Sequence, residues 1–383
     1  MMKRSVNTAS TCNGIFSRSI HKFLVNLKRS QPDQFATVDK KLVEKYLSKT
    51  ALGCFSRVKP SESKKTLTGV SKDLFNLVAQ FKQCDEVTLM YSYKLLERVL
   101  REQCHLTDDK DHPVELKTPK QIPSDSLQNP SDPDATYSGH KGQGYQVQVM
   151  ETFCDDEKEK EQSLNLITHV KVEPAHESDA NAIVPAIESV AKRGLKPKEL
   201  QADSLYGSDD NCEKAAQHDV ELVAPTMGSV NKDKLSLADF QFSPKGEIVA
   251  CPQGHAPAKV RKRKKTSIGF DATHCRNCPD LQRCPVKEGK KYYYLRFTDK
   301  EMRITKRRLH EQSEEFKDRY RWRAGVEATM SEYDRRTGVK QLRVKGRKAV
   351  RFCATLKALG INIFRAAALR TAQMMEKERL CEA

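Results

Sequence analysis

Apolar residues recur at spacings of three and four through "SIHKFLVNLKR", "DKKLVEKYLSK", "KDLFNLVAQFK" and "VTLMYSYKLLERVLREQC". That period is the signature of one buried helical face, so the first hundred residues are predicted to be helical. A polar, proline-rich stretch follows, "KTPKQIPSDSLQNPSDPDATYSGHKGQG", which predicts an extended loop. The pattern then changes. "GYQVQVMETFC" alternates and predicts a strand, and "NLITHVKVE" predicts a second. "SDANAIVPAIESVAKRG" reads as a helix closed by Gly194. "ELQADSLYG" reads as a short strand entering a turn, "SDDNCEKAAQHD" as a helix and "VELVAPT" as a strand. Paired strands followed by alternating helices and strands predict a mixed α/β sheet.

From Met227 to Thr298 the pattern breaks into a Cys-, Pro- and Lys/Arg-rich segment that reads as an insertion. A long helical region follows, "DKEMRITKRRLHEQSEEFKDRYRWRAGVEATMSEYDRR", then a basic turn, "TGVKQLRVKGRK", and a last helix. The predicted organisation is a helical region over 1–110, a first α/β part over 111–227, the insertion over 228–298 and closing helices over 299–375. No internal repeat is visible.

The 383 residues carry 68 Lys and Arg against 51 Asp and Glu, a formal charge of +17 that favours a polyanionic partner, nucleic acid above all. No run of about 18 apolar residues exists, so no membrane span is expected. The N-terminal "MMKRSVNTASTCNGIF" lacks the apolar core of a secretory signal. Twelve cysteines in such a chain are expected as thiols or metal ligands in a reducing cytoplasm. "GHKGQG" precedes a strand instead of opening a helix, so it is not expected to cradle a nucleotide.

Two stripes share the segment "YRWRAGVEATMSEYDRRTG". Trp322, Val326, Met330 and Tyr333 are predicted to line a buried face; Tyr320, Arg323 and Glu327 share a second one. An exposed i,i+4 ion pair would explain Arg323 and Glu327 in isolation. Asp203, however, is predicted at the C-terminal end of a strand, where α/β folds place ligands, although an aspartate there also serves as a turn former. Asp132 and Asp134 lie in the loop that feeds the first strand. Two aspartates on sheet elements and a glutamate on a later helix supply the hard oxygen donors that Mg²⁺ or Mn²⁺ takes, and such ions serve phosphodiester displacement.

"SDPDATYSGHKGQGYQVQV", "ADSLYGSDDN" and "YRWRAGVEATMSEYDRR" together resemble consecutive blocks of bacterial insertion-sequence transposases of the DDE type, from about residue 15 to about residue 372. The resemblance implies an RNase H-like catalytic fold, metal-dependent strand cleavage and strand transfer, double-stranded DNA as partner and a homo-oligomer on that DNA. It makes Asp203 the second metal ligand, with Ala202, Tyr206 and Ser208 completing its block, and Glu327 the third. Tyr320 and Arg323 become supporting residues. The basic residue the family places seven positions after the Glu is Asp334 here, with Arg335 one place later. For the first acid, Asp132 and Asp134 are the candidates in the chain. The family also has an Asp-Ser-Thr or Asp-Gly-Thr strand further upstream, where this chain reads "MMKRSVNTASTCN" without any Asp. A truncated, inactive copy that still binds DNA is therefore the alternative expectation.

Cys251 in "CPQGH" and Cys275, Cys278 and Cys284 in "CRNCPDLQRC" suggest a structural Zn²⁺, with His255 as an alternate ligand. The basic run "KVRKRKKTS" lies between them and would meet DNA phosphates, as would "TKRRLH" and "VKQLRVKGRK". A zinc-ribbon regulator that binds nucleic acid, with purely structural carboxylates, is the remaining alternative. Cys154, Cys212 and Cys353 are expected to fill the core.

Overall fold

The computed structural model describes residues 8–48, 60–109, 112–159, 162–229 and 231–382. The first few residues, where the resemblance would seek an upstream acid, lie outside the described residues. The chain is mixed α/β with several small sheets, an arrangement compatible with an RNase H-like transposase fold. It divides into two compact units.

The first unit comprises residues 1–147, 172–177 and 341–354. Its helices are α1 (Thr8–Ser30), α2 (Lys40–Leu47), α3 (Pro60–Phe81) and α4 (Tyr91–Gln103), joined by shorter helical turns. Phe16, Ile20, Phe23, Leu24 and Leu27 of α1 are completely buried, and they pack against Leu74 and Leu77 of α3 and Tyr93 and Leu96 of α4. The helical period read from the sequence therefore marks a true inward face. The predicted fourth helix is interrupted at Leu89–Met90, between a turn over Asp85–Thr88 and the start of α4. Two antiparallel pairs were not legible in the pattern: β1 (Cys104–Leu106) with β2 (Val114–Leu116), and β3 (Thr136–Ser138) with the start of β4 (Gly142–Glu151).

The second unit comprises residues 148–171, 178–340 and 355–383. Strands β4 and β5 (Ile167–Pro174) run through from one unit to the other. A βαβ crossover follows helix α5 (Ile183–Ala191): β6 (Glu199–Gln201), helix α6 (Asp209–Gln217) and β7 (Glu221–Val223). β6 and β7 pair in parallel, with Glu199 opposite Glu221 and Gln201 opposite Val223. Ser208 caps α6 by accepting from the Asn211 amide, which fixes where the turn ends and the helix begins. Ile183, Ile187, Ala215, Val220, Leu222 and Ala224 form the core beneath the crossover.

The Cys-rich segment has real sheet structure that its charge conceals. β8 (Gln241–Phe242) pairs with β9 (Ile248–Ala250), while β10 (Lys259–Lys262), β11 (Thr266–Asp271) and β12 (Tyr292–Phe297) form an antiparallel three-stranded sheet. Every side chain of β10 is exposed, so no apolar alternation could announce it. The closing helices are α7 (Asp299–His310), α8 (Glu314–Tyr320), α9 (Ala324–Thr337) and α10 (Arg347–Glu382).

Among the described residues one helix, Arg347–Arg379, is long and apolar enough by length and composition alone to cross a membrane, with a window of mean hydropathy 1.4. That alone does not overturn the expectation of no membrane span. The Lys357 ammonium of this helix donates to the Thr337 carbonyl and its Arg365 is bonded to Glu151 and Glu332, so both charges are engaged by protein groups.

Candidate active site

Asp203 sits two residues beyond β6, in the turn at the C-terminal end of a parallel strand, as the sequence reading expects. The ladder extends one step past the strand, with the Ala202 amide donating to the Val223 carbonyl at 3.0 Å. Asp203 then shapes its own turn: one carboxylate oxygen accepts from the Leu205 amide at 2.9 Å, and its carbonyl accepts from Tyr206 at 3.0 Å. The other carboxylate oxygen is the one that meets Arg323. Gly207, four residues on, must be glycine, because a Cβ there would lie 1.9 Å from the Pro225 carbonyl oxygen. Arg307 of α7 staples this close approach by donating to the Gly207 carbonyl at 3.0 Å and the Ala224 carbonyl at 2.9 Å. Two loops at the ends of β6 and β7 are thereby held by one guanidinium.

The segment that carries Glu327 is not one straight helix. α8 ends at Tyr320, a 3₁₀ turn covers Arg321–Arg323, and α9 starts at Ala324. The predicted apolar stripe holds at Tyr333, which is fully buried, whereas Trp322, Val326 and Met330 are only half-buried. The break in the helix shifts the register, and the inward position passes to Thr329, buried among polar partners. Tyr320 and Glu327 therefore lie on different elements and not on one continuous face.

Arg319 anchors α8 to the crossover. Its guanidinium bonds to Glu199 at 2.7 Å and Glu221 at 2.9 Å, opposite residues of β6 and β7. Its carbonyl accepts from the Gln201 side chain at 2.7 Å. These contacts carry Arg323 to Asp203. Arg323 donates to Glu327 at 2.8 Å and to Asp203 at 3.5 Å, so one guanidinium holds both carboxylates. Asp203 is about one-third exposed and Glu327 is 71% exposed. Tyr320 stacks on Phe316 with centroids 5.5 Å apart. Burial raises its phenol pKa, Arg323 pulls it back, and Asp203 and Glu327 push it up again, which places the ring within electrostatic reach of the pair.

α9 is fixed from its opposite side. Arg365 of α10 donates to Glu332 at 2.9 Å and to Glu151 at 3.1 Å, and reaches the Thr329 hydroxyl at 2.6 Å. Thr329 in turn donates to Glu151 at 2.5 Å. Sequence reasoning missed Arg319, Arg307 and Arg365, because nothing local to an arginine reveals a carboxylate or carbonyl from a distant segment.

Asp132 and Asp134 belong to the first unit and are engaged differently. Asp132 is buried and accepts from the Tyr145 hydroxyl at 2.5 Å and the Gly346 amide at 3.1 Å. Asp134 accepts from the Arg347 amide at 3.3 Å. Together they satisfy backbone donors at the start of α10, where a helix leaves its first amides unpaired and favours negative charge. Asp334 pairs with Lys340 at 2.9 Å, and that ammonium lowers its pKa. Among the described residues, no group of three or more His, Cys, Asp or Glu is placed so that it could hold a metal ion as the side chains stand.

The four cysteines share one cavity without standing at metal-holding positions. Cys251, Cys275, Cys278 and Cys284 line one cavity, and burial followed by the proximity of Cys284, Cys251 and Cys278 pushes the Cys275 thiol up to about 11. Of the remaining cysteines, Cys212 packs against the core of the crossover, whereas Cys154 is half-buried in the loop after β4. The basic segments also separate. Arg263, Lys264 and Lys265 project at the tip of the β10–β11 hairpin, but Arg307 of "TKRRLH" is used inside the protein.

Residues 250–367 match the family model described as the transposase DDE domain. The match contains the four cysteines and Glu327 and begins beyond Asp203. No curated protein and no solved structure matches the chain.

Proposed function

We propose that this chain, a DDE transposase by the domain it carries over residues 250–367, is the transposase of a bacterial insertion sequence and performs divalent-metal-dependent strand cleavage and strand transfer at the element's ends. The observation that carries the reading is Arg323 holding Asp203 and Glu327 together, although 120 residues separate Arg323 from Asp203. The donor set fits Mg²⁺ or Mn²⁺: both groups are hard oxygen anions, and the guanidinium between them stands in for a cation. When bound, a divalent ion would polarise the phosphodiester and activate the attacking oxygen. Asp203 and Glu327 would hold it, Arg323 would orient both carboxylates and meet DNA phosphate, and Tyr320 would support Arg323. The exposed Arg263, Lys264 and Lys265 would grip the DNA backbone, which gives affinity without sequence choice. A homo-oligomer would bring two element ends together.

A second reading, a protein that binds transposon ends without cutting them, is favoured by the bonding of Asp132. That carboxylate, the best-buried candidate for a first metal ligand, is committed to Tyr145 and Gly346. One assay separates the readings. The purified chain, supplied with Mg²⁺ or Mn²⁺, is incubated with DNA bearing the element's terminal repeats. Cleavage is expected, with loss of at least about a hundredfold in Asp203→Asn and Glu327→Gln, in line with the worth of a preorganised electrostatic group, and with DNA binding retained. Binding without cleavage in the parent selects the second reading. Glu327→Gln with full cleavage would overturn the first, and would leave the carboxylates structural, as in a zinc-ribbon regulator.

A further inference from the structure

We infer that Cys251, Cys275, Cys278 and Cys284 together bind one structural Zn²⁺ that staples the basic module of the second unit. The four thiols come from three separate places in the module: the end of β9, the short helix Ala272–Arg276 and the loop beyond it. All four are free and half-buried, and all four line the same cavity. Each sits at a tight turn. The Gly254 amide returns to the Cys251 carbonyl at 2.9 Å, with Gly254 at φ +84°. The Cys278 amide returns to the Cys275 carbonyl at 3.1 Å, and the Cys284 amide to Asp280 at 2.9 Å. His255 and His274, stacked at 4.2 Å, also line the cavity.

The module's buried cluster is Phe240, Ile248, Ile268, Phe270, Leu295 and Phe297, and Cys251, Cys275 and Cys284 pack against it. A core this small is the kind that depends on a staple. Four thiolates suit the soft, tetrahedral preference of Zn²⁺ better than that of any hard cation. Loading converts four thiols to thiolates and releases four protons, leaving a site of net charge −2 within a basic hairpin module. Since no three ligand groups stand at binding positions beforehand, the thiolates must turn inward onto the ion.

The experiment uses the full chain, purified in reductant without an added metal. Elemental analysis is expected to give one zinc per chain, lost in Cys275→Ser/Cys278→Ser and retained in Cys212→Ser. Exchange with Co²⁺ is expected to give the intense thiolate charge-transfer and ligand-field bands of a tetrahedral sulfur site. Should the double variant fail to fold, the parent still decides: mass spectrometry is expected to show alkylation of these four cysteines only after a chelator is added. A parent without stoichiometric zinc, equal alkylation with and without chelator, or full zinc retention in the folded double variant would overturn the inference. Glu327→Gln is expected to keep its zinc, so failure of the nuclease reading and failure of this one are told apart.

Discussion

Two arginines in the second unit each hold a pair of carboxylates from distant segments, and they do opposite work. Arg365 joins Glu151 and Glu332, is only 18% exposed, and also bonds to Thr329 and the Asn165 carbonyl. Arg323 joins Asp203 and Glu327 with one good contact and one long one, beside a glutamate that is largely in water. The difference lies in satisfaction. Around Arg365 nearly every donor and acceptor is spent inside the protein, so the cluster is a lock between β4, α9 and α10. Around Arg323 the carboxylates are more exposed and make fewer bonds, so they keep lone pairs of the kind a divalent cation requires. The same three charges therefore make a fastener in one place and a candidate working site in the other.

Breaking the lock should have the largest effect on stability. Arg365→Met leaves Glu151 with only the Thr329 hydroxyl and Glu332 with only Arg336, both half-buried, and is expected to cost up to about 3 kcal/mol in chemical denaturation. A loss below about 1 kcal/mol would show that solvent reaches the cluster. Asp132→Ala comes next, since it strips acceptors from the Tyr145 hydroxyl and the Gly346 amide; about 1–3 kcal/mol is expected. Arg323→Ala sharpens the contrast from the other side. Its stability should change by less than about 1 kcal/mol, as for exposed pairs, while strand cleavage falls. The smallest effect appears only in alkali. Burial pushes the Tyr333 phenol up to about 12 from its ordinary 10.0. A raised folded pKa means the contribution is complete below pH 10.0 and is lost as pH climbs through about 12. Tyr333→Phe should therefore resist alkaline unfolding in that window better than the parent, with no difference attributable to this titration at pH 7.

Much of the fold was legible wherever the side-chain period matched the burial. Phe16, Ile20, Phe23, Leu24 and Leu27 announce α1 because water is excluded from one face only. The crossover was legible because short apolar runs alternate with a capped helix, and its turn placed Asp203 correctly. The β10–β11 hairpin was not, because Lys259 through Lys262 point entirely into solvent and leave no stripe to read. Nor was the 3₁₀ break at Arg321–Arg323, where Arg319 pulls α8 onto Glu199 and Glu221. The roles of Asp132 and Asp134 were hidden for a simpler reason. Their partners are backbone amides more than two hundred residues later, and a backbone amide has no sequence identity.

The insertion of the whole hairpin module between Asp203 and Arg323 has a consequence for synthesis. A ribosome exposes the hairpin's lysines before it has made the residue that gathers the two acids. Translation halted after residue 297 would release a product with Asp203 and the basic hairpin but without Arg323 and Glu327. On the proposed reading such a fragment would bind DNA backbone without sequence choice and lack the acid needed to cut it.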